Sequence, residues 1–313
     1  MKSLIVVTGT EKEIMQTWLS SLRSKGVYQG DALICDYGNF SPETVNYLQS
    51  QKNIIYRKVS KVHECFASDR IRAFYECLTD LWEQYDCLLL TDGNDIEFFA
   101  SIEPLLNLAR TGLCAVKEPR LIQAYKIWAS KLKMPLRYWR AIENKPAFNA
   151  GMIAAPTVEM KALLGFMLKN MNLYGSNFGS ETFALNVWCY CFGHEIRNVG
   201  VRWNCMPFMG VKLMMVGKVL FDQSIQYESA RLTPFSGGGV DIAILHWHKQ
   251  NQERHFPTNI HNDERFRYLV SGDFVKFEMP ILIKNCEDYD PEIKRRLKTQ
   301  AVGRLNSFPF FSL

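Results

Sequence analysis

Leu88-Leu89-Leu90-Thr91-Asp92-Gly93-Asn94-Asp95-Ile96-Glu97-Phe98 is an apolar run that stops at two carboxylates three positions apart. Leucines with no intervening charge read as a strand buried on both faces, the pattern of a parallel sheet. Asp92 and Asp95 then fall on a glycine-containing turn at the strand's carboxyl end, where open α/β sheets bind ligands. Two hard oxygen donors at that place suit a divalent metal, and the amide oxygen of Asn94 could stand in for Asp95 as the second donor. The same tetrapeptide is also good turn chemistry, because Asp and Asn bond to their own backbone and cap helices.

Outward from this strand the chain alternates. Leu4-Ile5-Val6-Val7 reads as a buried strand, and Thr8-Gly9-Thr10 turns into a helix with Ile14, Met15, Trp18, Leu19 and Leu22 at helical spacing. Ala32-Leu33-Ile34-Cys35 begins a second strand, Ser41 caps a helix that has Pro42 at its first position, and Asn53 to Val59 gives a third strand. Ser68-Asp69 opens a longer helix with Ile71, Phe74, Tyr75, Leu78, Leu81 and Trp82 on one face, feeding the strand that ends at Asp92. This rhythm predicts an α/β fold with a mostly parallel central sheet and crossover helices on both faces.

Beyond residue 100 the pattern loosens. It gives a strand over Leu113 to Val116, a helical pattern from Leu121 to about Arg140, a strand over Ala147 to Ile153, helices around 157–170 and 180–191, and a last strand over Ile242 to Leu245. The expected organisation is one Rossmann-like domain over residues 1–250, with a first half (1–110) and a second half (111–250). Residues 251–313 form a C-terminal extension packed on it.

Composition limits the partners. With 47% hydrophobic and 22% charged residues the chain can bury a core, which excludes wholesale disorder. Its net charge of +5 is modest and the longest basic cluster, Lys294-Arg295-Arg296, is short, so nucleic acid is not an expected partner. The first apolar stretch is too short for a secretion signal, and Lys212 and Lys218 interrupt the most apolar later segment, so a cytoplasmic protein without a transmembrane segment is expected. Nine cysteines, an odd number without metal-ligand spacing, fit reduced thiols. Ser236-Gly237-Gly238-Gly239 reads as a surface turn or an active-site lid. Phe308-Pro309-Phe310-Phe311 could dock on the core, pack against a second copy, or touch a membrane surface.

The last strand leads into His246-Trp247-His248-Lys249, an imidazole able to complete a Mn2+-type (or Mg2+) site and a lysine suited to phosphate. Thr8-Gly9 and Asp36-Tyr37 would flank a nucleoside at the sheet's carboxyl edge, with Tyr37 able to stack on a base. Arg70, at the start of its helix, could reach ribose or phosphate. Each also has a plain reading as a turn, a packed aromatic or a solvated charge. Among the aromatics that could line a sugar groove, Trp139 and Trp203 are favoured over Trp128, Tyr138 and Trp188.

In this order the motifs resemble the nucleotide-sugar-dependent glycosyltransferases of the A-type fold, most closely the glycogenin and lipopolysaccharide galactosyltransferase-like family. That family ends a strand in Asp-x-Asp, written in related families as Asp-x-x-Asp followed by Phe, which is the form of Asp92-Gly93-Asn94-Asp95 with Phe98. Its Phe-Asn-x-Gly appears as Phe148-Asn149-Ala150-Gly151, and its Asp-Gln-x-x-Leu-Asn is similar to Glu181-Thr182-Phe183-Ala184-Leu185-Asn186 with both polar leads changed. A later Leu-Pro-x-x-Tyr-Asn element resembles Val199 to Asn204, and the family's histidine element is reduced here to His246 through Lys249.

The resemblance implies Asp92, Asp95 and His246 as metal ligands and Lys249 as a diphosphate contact. It places Asn149, Ala150, Gly151, Glu181 and Thr182 near the donor sugar. The implied activity is metal-dependent transfer of a sugar, from UDP in preference to other nucleotide carriers, to a hydroxyl of a glycan. Glu181 would act as general base if configuration inverts, or as a carboxylate on the oxocarbenium face if it is retained. Two alternatives stay open at this point, a nucleotidyltransferase on a similar sheet and a non-catalytic nucleotide- or sugar-binding protein.

Overall fold

The structure, a computed structural model, describes residues 2–9, 12–63, 65–93, 96–98, 100–125, 131–200, 203–204 and 244–246. The first half runs β1 (Ser3–Gly9), α1 (Lys12–Ser24), β2 (Asp31–Asp36), α2 (Pro42–Ser50), β3 (Ile54–Lys58), α3 (Phe66–Cys77) and β4 (Cys87–Asp92). There follow β5 (Ile96–Phe98), α4 (Glu103–Ala109), β6 (Cys114–Leu121), α5 (Leu136–Ile142), β7 (Pro146–Pro156), α6 (Thr157–Tyr174), α7 (Ser180–Phe192), β8 (Arg197–Asn198) and β9 (Ile244–His246).

Seven strands form one sheet in the order β3-β2-β1-β4-β7-β6-β8. The first four are mutually parallel, and β7 is antiparallel to both β4 and β6, so it runs against the rest. Register sets Thr8 beside Asp92 and Gly9 beside Asp36, which brings the carboxyl ends of β1, β2 and β4 level. Neighbouring residues of a strand face opposite ways. Leu4 and Val6 therefore join the core that holds Ile71 and Phe74 of α3 and Leu163 of α6, while Ile5 and Val7 join Met15 and Trp18 of α1 and Leu105 of α4. Burying a side chain of this size contributes roughly 1.5–3 kcal/mol, so both faces of the sheet hold the edge rigid.

Ser41 caps α2 as its sequence suggests, accepting the Thr44 N–H at 3.3 Å with Pro42 opening the helix. Two helical expectations change. α3 starts at Phe66 and ends at Cys77 instead of continuing to Trp82, because Thr79 and Asp80 are poor helix formers and Asp80 is held by two hydrogen bonds (2.6 and 2.8 Å) from Arg57 of β3. The pattern from Leu121 to Arg140 is not one helix: β6 extends to Leu121, pairing with Pro146, and α5 begins only after Pro135.

A second, two-stranded sheet pairs β5 with β9 in antiparallel register, setting Ile96 opposite His246. The last predicted strand thus includes His246 within it. Cys35, Cys65, Cys77, Cys87, Cys114, Cys189 and Cys191 are free thiols. Among the described residues no helix is long and apolar enough to cross a membrane. The glycine-rich segment at 236–239 and the tail after residue 250, with its aromatic end, lie outside the described residues.

Candidate active site

The turn after β4 is pressed against the end of β1. A Cβ on Gly93 would stand 1.9 Å from the Thr8 carbonyl oxygen, so a residue with a side chain does not fit there. Asp92, the last residue of β4, keeps 22% of its side chain exposed. Arg70 of α3 is buried; it pairs through Nη1 with Asp92 Oδ1 and donates through Nη2 to the Ala150 carbonyl of β7 at 3.0 Å. The helix before β4 therefore delivers a guanidinium to the corner.

His246 reaches the same corner from β9. It is 1% exposed, with Nε2 3.3 Å from Asp92 Oδ2. Between them lies Gly151: a Cβ at that position would stand 2.5 Å from His246 Cε1 and 2.8 Å from both Asp92 Oδ2 and Asn149 Oδ1. Glycine at 151 keeps the cradle open.

Behind the imidazole runs a buried polar chain. His246 Nδ1 lies 2.9 Å from Asn204 Oδ1, Asn204 Nδ2 donates to Asn149 Oδ1 at 2.9 Å, and Asn149 Nδ2 donates to Glu118 Oε1 at 2.7 Å. The Gly151 N–H also donates to Asn149 Oδ1, at 2.8 Å. The Asn149 side chain, which the resemblance sets near a donor sugar, is thus bonded to the protein on both its oxygen and its nitrogen.

Glu181 sits in the first turn of α7, buried, with Ser68 Oγ 3.3 Å from its Oε2 and Ser68 in turn 2.6 Å from Ser180 Oγ. Burial raises its carboxyl above the ordinary 4.5, and the charge of Arg70 offsets this only in part. Asn186, one turn further on, clamps α7 to β7 by exchanging hydrogen bonds with the Phe148 backbone (2.9 and 3.0 Å) and donating to the Thr182 carbonyl at 2.7 Å. Thr182 is itself buried.

At the carboxyl end of β2, Asp36 is fully buried. Its Oδ1 accepts the Gly38 and Asn39 N–H groups (2.8 and 3.1 Å) and its Oδ2 the Tyr56 hydroxyl (2.5 Å), so this carboxylate builds the turn after β2. Tyr37 stands edge-on to Phe66 with ring centres 5.1 Å apart. Trp203 is buried in the core with Met152 and Ile244, and Trp139 packs on Phe183 with ring centres 6.0 Å apart. Core packing accounts for Trp203 without a sugar. Asn94, Asp95 and Lys249 lie outside the described residues.

Sequence reasoning missed Glu118 and Ser68 altogether and gave Asn204 no role. The available signal for Glu118 was the Lys117-Glu118 pair that follows the apolar run Cys114-Ala115-Val116, and that for Asn204 was its place in the Val199 to Asn204 element.

No protein-family model matches this sequence, and no curated protein sequence does. Solved structures do match. The galactosyltransferase LgtC, in complex with donor and acceptor sugar analogues, aligns with a TM-score of 0.57 at 14% identity, over 95% of this chain and 100% of its own. An active-site mutant of LgtC aligns with a TM-score of 0.56 at 14% identity, over 91% and 100%. Mixed sheet, strand order and flanking helices together give this chain the A-type glycosyltransferase fold of LgtC.

Proposed function

We propose that the chain is a metal-dependent glycosyltransferase that moves a sugar from a nucleotide-diphosphate donor, UDP in preference, to a hydroxyl of a glycan acceptor. The observation that carries this reading is the 3.3 Å approach of Asp92 Oδ2 to His246 Nε2, two side chains from distant parts of the sequence. An imidazole nitrogen and a carboxylate oxygen form a donor pair that Mn2+ accepts, and adjacent corners of an octahedron around an ion of Mg2+ size stand about 3 Å apart. The cradle that Gly151 leaves beside both atoms fits an ion in the same way. Asp92, His246 and, from the sequence, Asp95 would hold Mn2+ or Mg2+, which when bound neutralises charge on the departing diphosphate.

The chain's own groups supply the rest. Arg70 brings a buried positive charge to the same corner, where a phosphate oxygen would compete with Asp92 for it. Lys249 would add a second cation. Glu181, shielded from water and raised by burial, holds a carboxyl near the sugar position that the resemblance assigns. A guanidinium already held at the corner would lower the barrier because little reorganisation is needed as the leaving group departs.

Incubation with a panel of nucleotide sugars and Mn2+, following nucleoside diphosphate release, tests the reading. Release by wild type that disappears in Asp92→Ala supports it. Pyrophosphate release from a nucleoside triphosphate would replace it with nucleotidyl transfer, and binding without turnover would leave a binding protein.

A further inference from the structure

The buried chain of Glu118, Asn149, Asn204 and His246 is polarised in one direction, and its starting point is a donor that cannot turn round. The Gly151 N–H belongs to the backbone, so the Asn149 atom 2.8 Å from it is the carbonyl oxygen. The Asn149 amino group then faces the Glu118 carboxylate at 2.7 Å, which can only accept when ionised. The Asn149 oxygen takes a second hydrogen from the Asn204 amino group at 2.9 Å, which leaves Asn204 Oδ1 turned to His246 Nδ1 at 2.9 Å. An oxygen at that place requires a hydrogen on Nδ1.

Flipping either amide would set hydrogen against hydrogen or oxygen against oxygen. Glu118, Asn149, Asn204 and His246 are each no more than 6% exposed, so water does little to relieve such a mismatch. The orientation is therefore set as a unit.

We infer that Glu118 is a positioning residue: through Asn149 and Asn204 it holds His246 with a hydrogen on Nδ1 and with Nε2 facing Asp92 Oδ2. A carboxylate that orients a metal-binding histidine normally touches the ring itself. Here two amides stand between them, which lets the carboxylate lie on β6 while the imidazole arrives on β9. The use of this arrangement rests on the metal-dependent reading, in which a cation would take the place between Nε2 and Asp92 Oδ2, 3.3 Å apart, that a proton can also fill. The tautomer does not.

The first test is long-range 1H–15N NMR on metal-free protein with labelled histidine, at a pH well above the ordinary imidazole value of about 6.5. The His246 ring, identified by its loss in His246→Gln, should carry its hydrogen on Nδ1. A ring whose only hydrogen is on Nε2 overturns the inference. In Glu118→Ala the Gly151 N–H alone still holds Asn149, so the second tautomer should appear as a minor signal, whereas Glu118→Gln, whose amide oxygen can still accept from Asn149, should keep the wild-type signal.

Mn2+ titration by electron paramagnetic resonance gives the second readout. Glu118→Ala should weaken binding about tenfold or more, the usual effect of losing a group that orients a ligand. Glu118→Gln should stay close to wild type. Should Glu118→Ala fail to fold, Glu118→Asp, which withdraws the carboxylate by one methylene, should shift tautomer and affinity in the same direction. Wild-type tautomer and affinity in both the Ala and Asp variants would overturn the positioning role. If wild type binds no Mn2+ but shows an Nδ1 hydrogen that depends on Glu118, the metal reading fails and this inference stands.

Discussion

Asp92 and His246 meet at one corner but are held by opposite means. Asp92 is partly exposed and its partner is a guanidinium, whereas His246 is buried and its partner is a chain of amides that ends on a carboxylate. A charge pair within reach of water is screened and can exchange partners when a polyanion arrives. A satisfied polar chain in a dry interior has one low-energy arrangement. The corner thus joins an adjustable half, built on α3 and β4, to a fixed half, built on β6, β7 and β9.

The comparison breaks most visibly at Asp92. If the adjustable half carries the leaving-group chemistry, Asp92→Asn should lower kcat/KM for diphosphate release by about 1000-fold, roughly 4 kcal/mol of transition-state stabilisation. A fall of less than tenfold would move the chemistry elsewhere.

The charged character of α3 extends to Asp69, whose carboxylate accepts from Arg72 Nη2 (2.7 Å), Arg72 Nε (3.1 Å) and the His63 N–H (2.8 Å). Burial pushes this carboxyl up, but the bonds from Arg72 and the His63 N–H outweigh it and hold it below 3.8. Asp69→Asn should cost about 3 kcal/mol at neutral pH, the usual penalty for stranding one member of a buried pair. A depressed folded-state value means that the contribution is complete above 3.8 and is lost as pH falls through the lower folded value. Denaturant midpoints of wild type and variant should therefore converge in acid, and parallel curves would refute the assignment.

The fixed half predicts the opposite pH behaviour. Gly151→Ala drives a methyl toward His246, Asn149 and Asp92, and overpacking of this kind costs roughly 2 kcal/mol. The loss should persist at every pH in urea unfolding, together with loss of Mn2+ binding. Wild-type affinity in that variant would show that the cradle has no function.

The smallest effect is expected at Glu181. Burial raises its carboxyl, so the folded protein keeps that proton longer than the unfolded chain does. Stability contributed there is present below 4.5 and declines as pH rises through the higher folded value. Glu181→Gln should then gain a little thermal stability at neutral pH and nothing in acid, measurable by calorimetry. An equal shift at both would point to the Ser68 hydrogen bond instead.

How much of this was legible follows the same division. The parallel strands and α1 announce themselves by unbroken apolar runs and helical spacing, and Asp92 stands at an element end where position alone suggests a role, whereas Arg70, expected at the start of its helix, lies a full turn inside α3. Helix lengths were harder, because Arg57 on a neighbouring strand fixes where α3 stops, and no local pattern carries that contact. The fixed half was least visible. Glu118, Asn149, Asn204 and His246 are polar residues whose meaning comes from contacts across long stretches of chain, and only the order of motifs hinted that they belong together. Trp203 illustrates the converse, since an aromatic suited to a sugar is equally suited to a core, and here it packs with Met152 and Ile244.

The pairing of β5 with β9 has a consequence for the order of assembly. Ile96 and His246 are separated by about 150 residues, and closing so long a loop is entropically costlier than closing the short crossovers of the first half. By then β1 to β4 are already translated, and Asp92 is neutralised by its neighbour Arg70. The imidazole is thus the latecomer, docked by a ladder of only three residues, and a nascent chain that has formed its sheet without seating this strand presents Asp92 without its histidine.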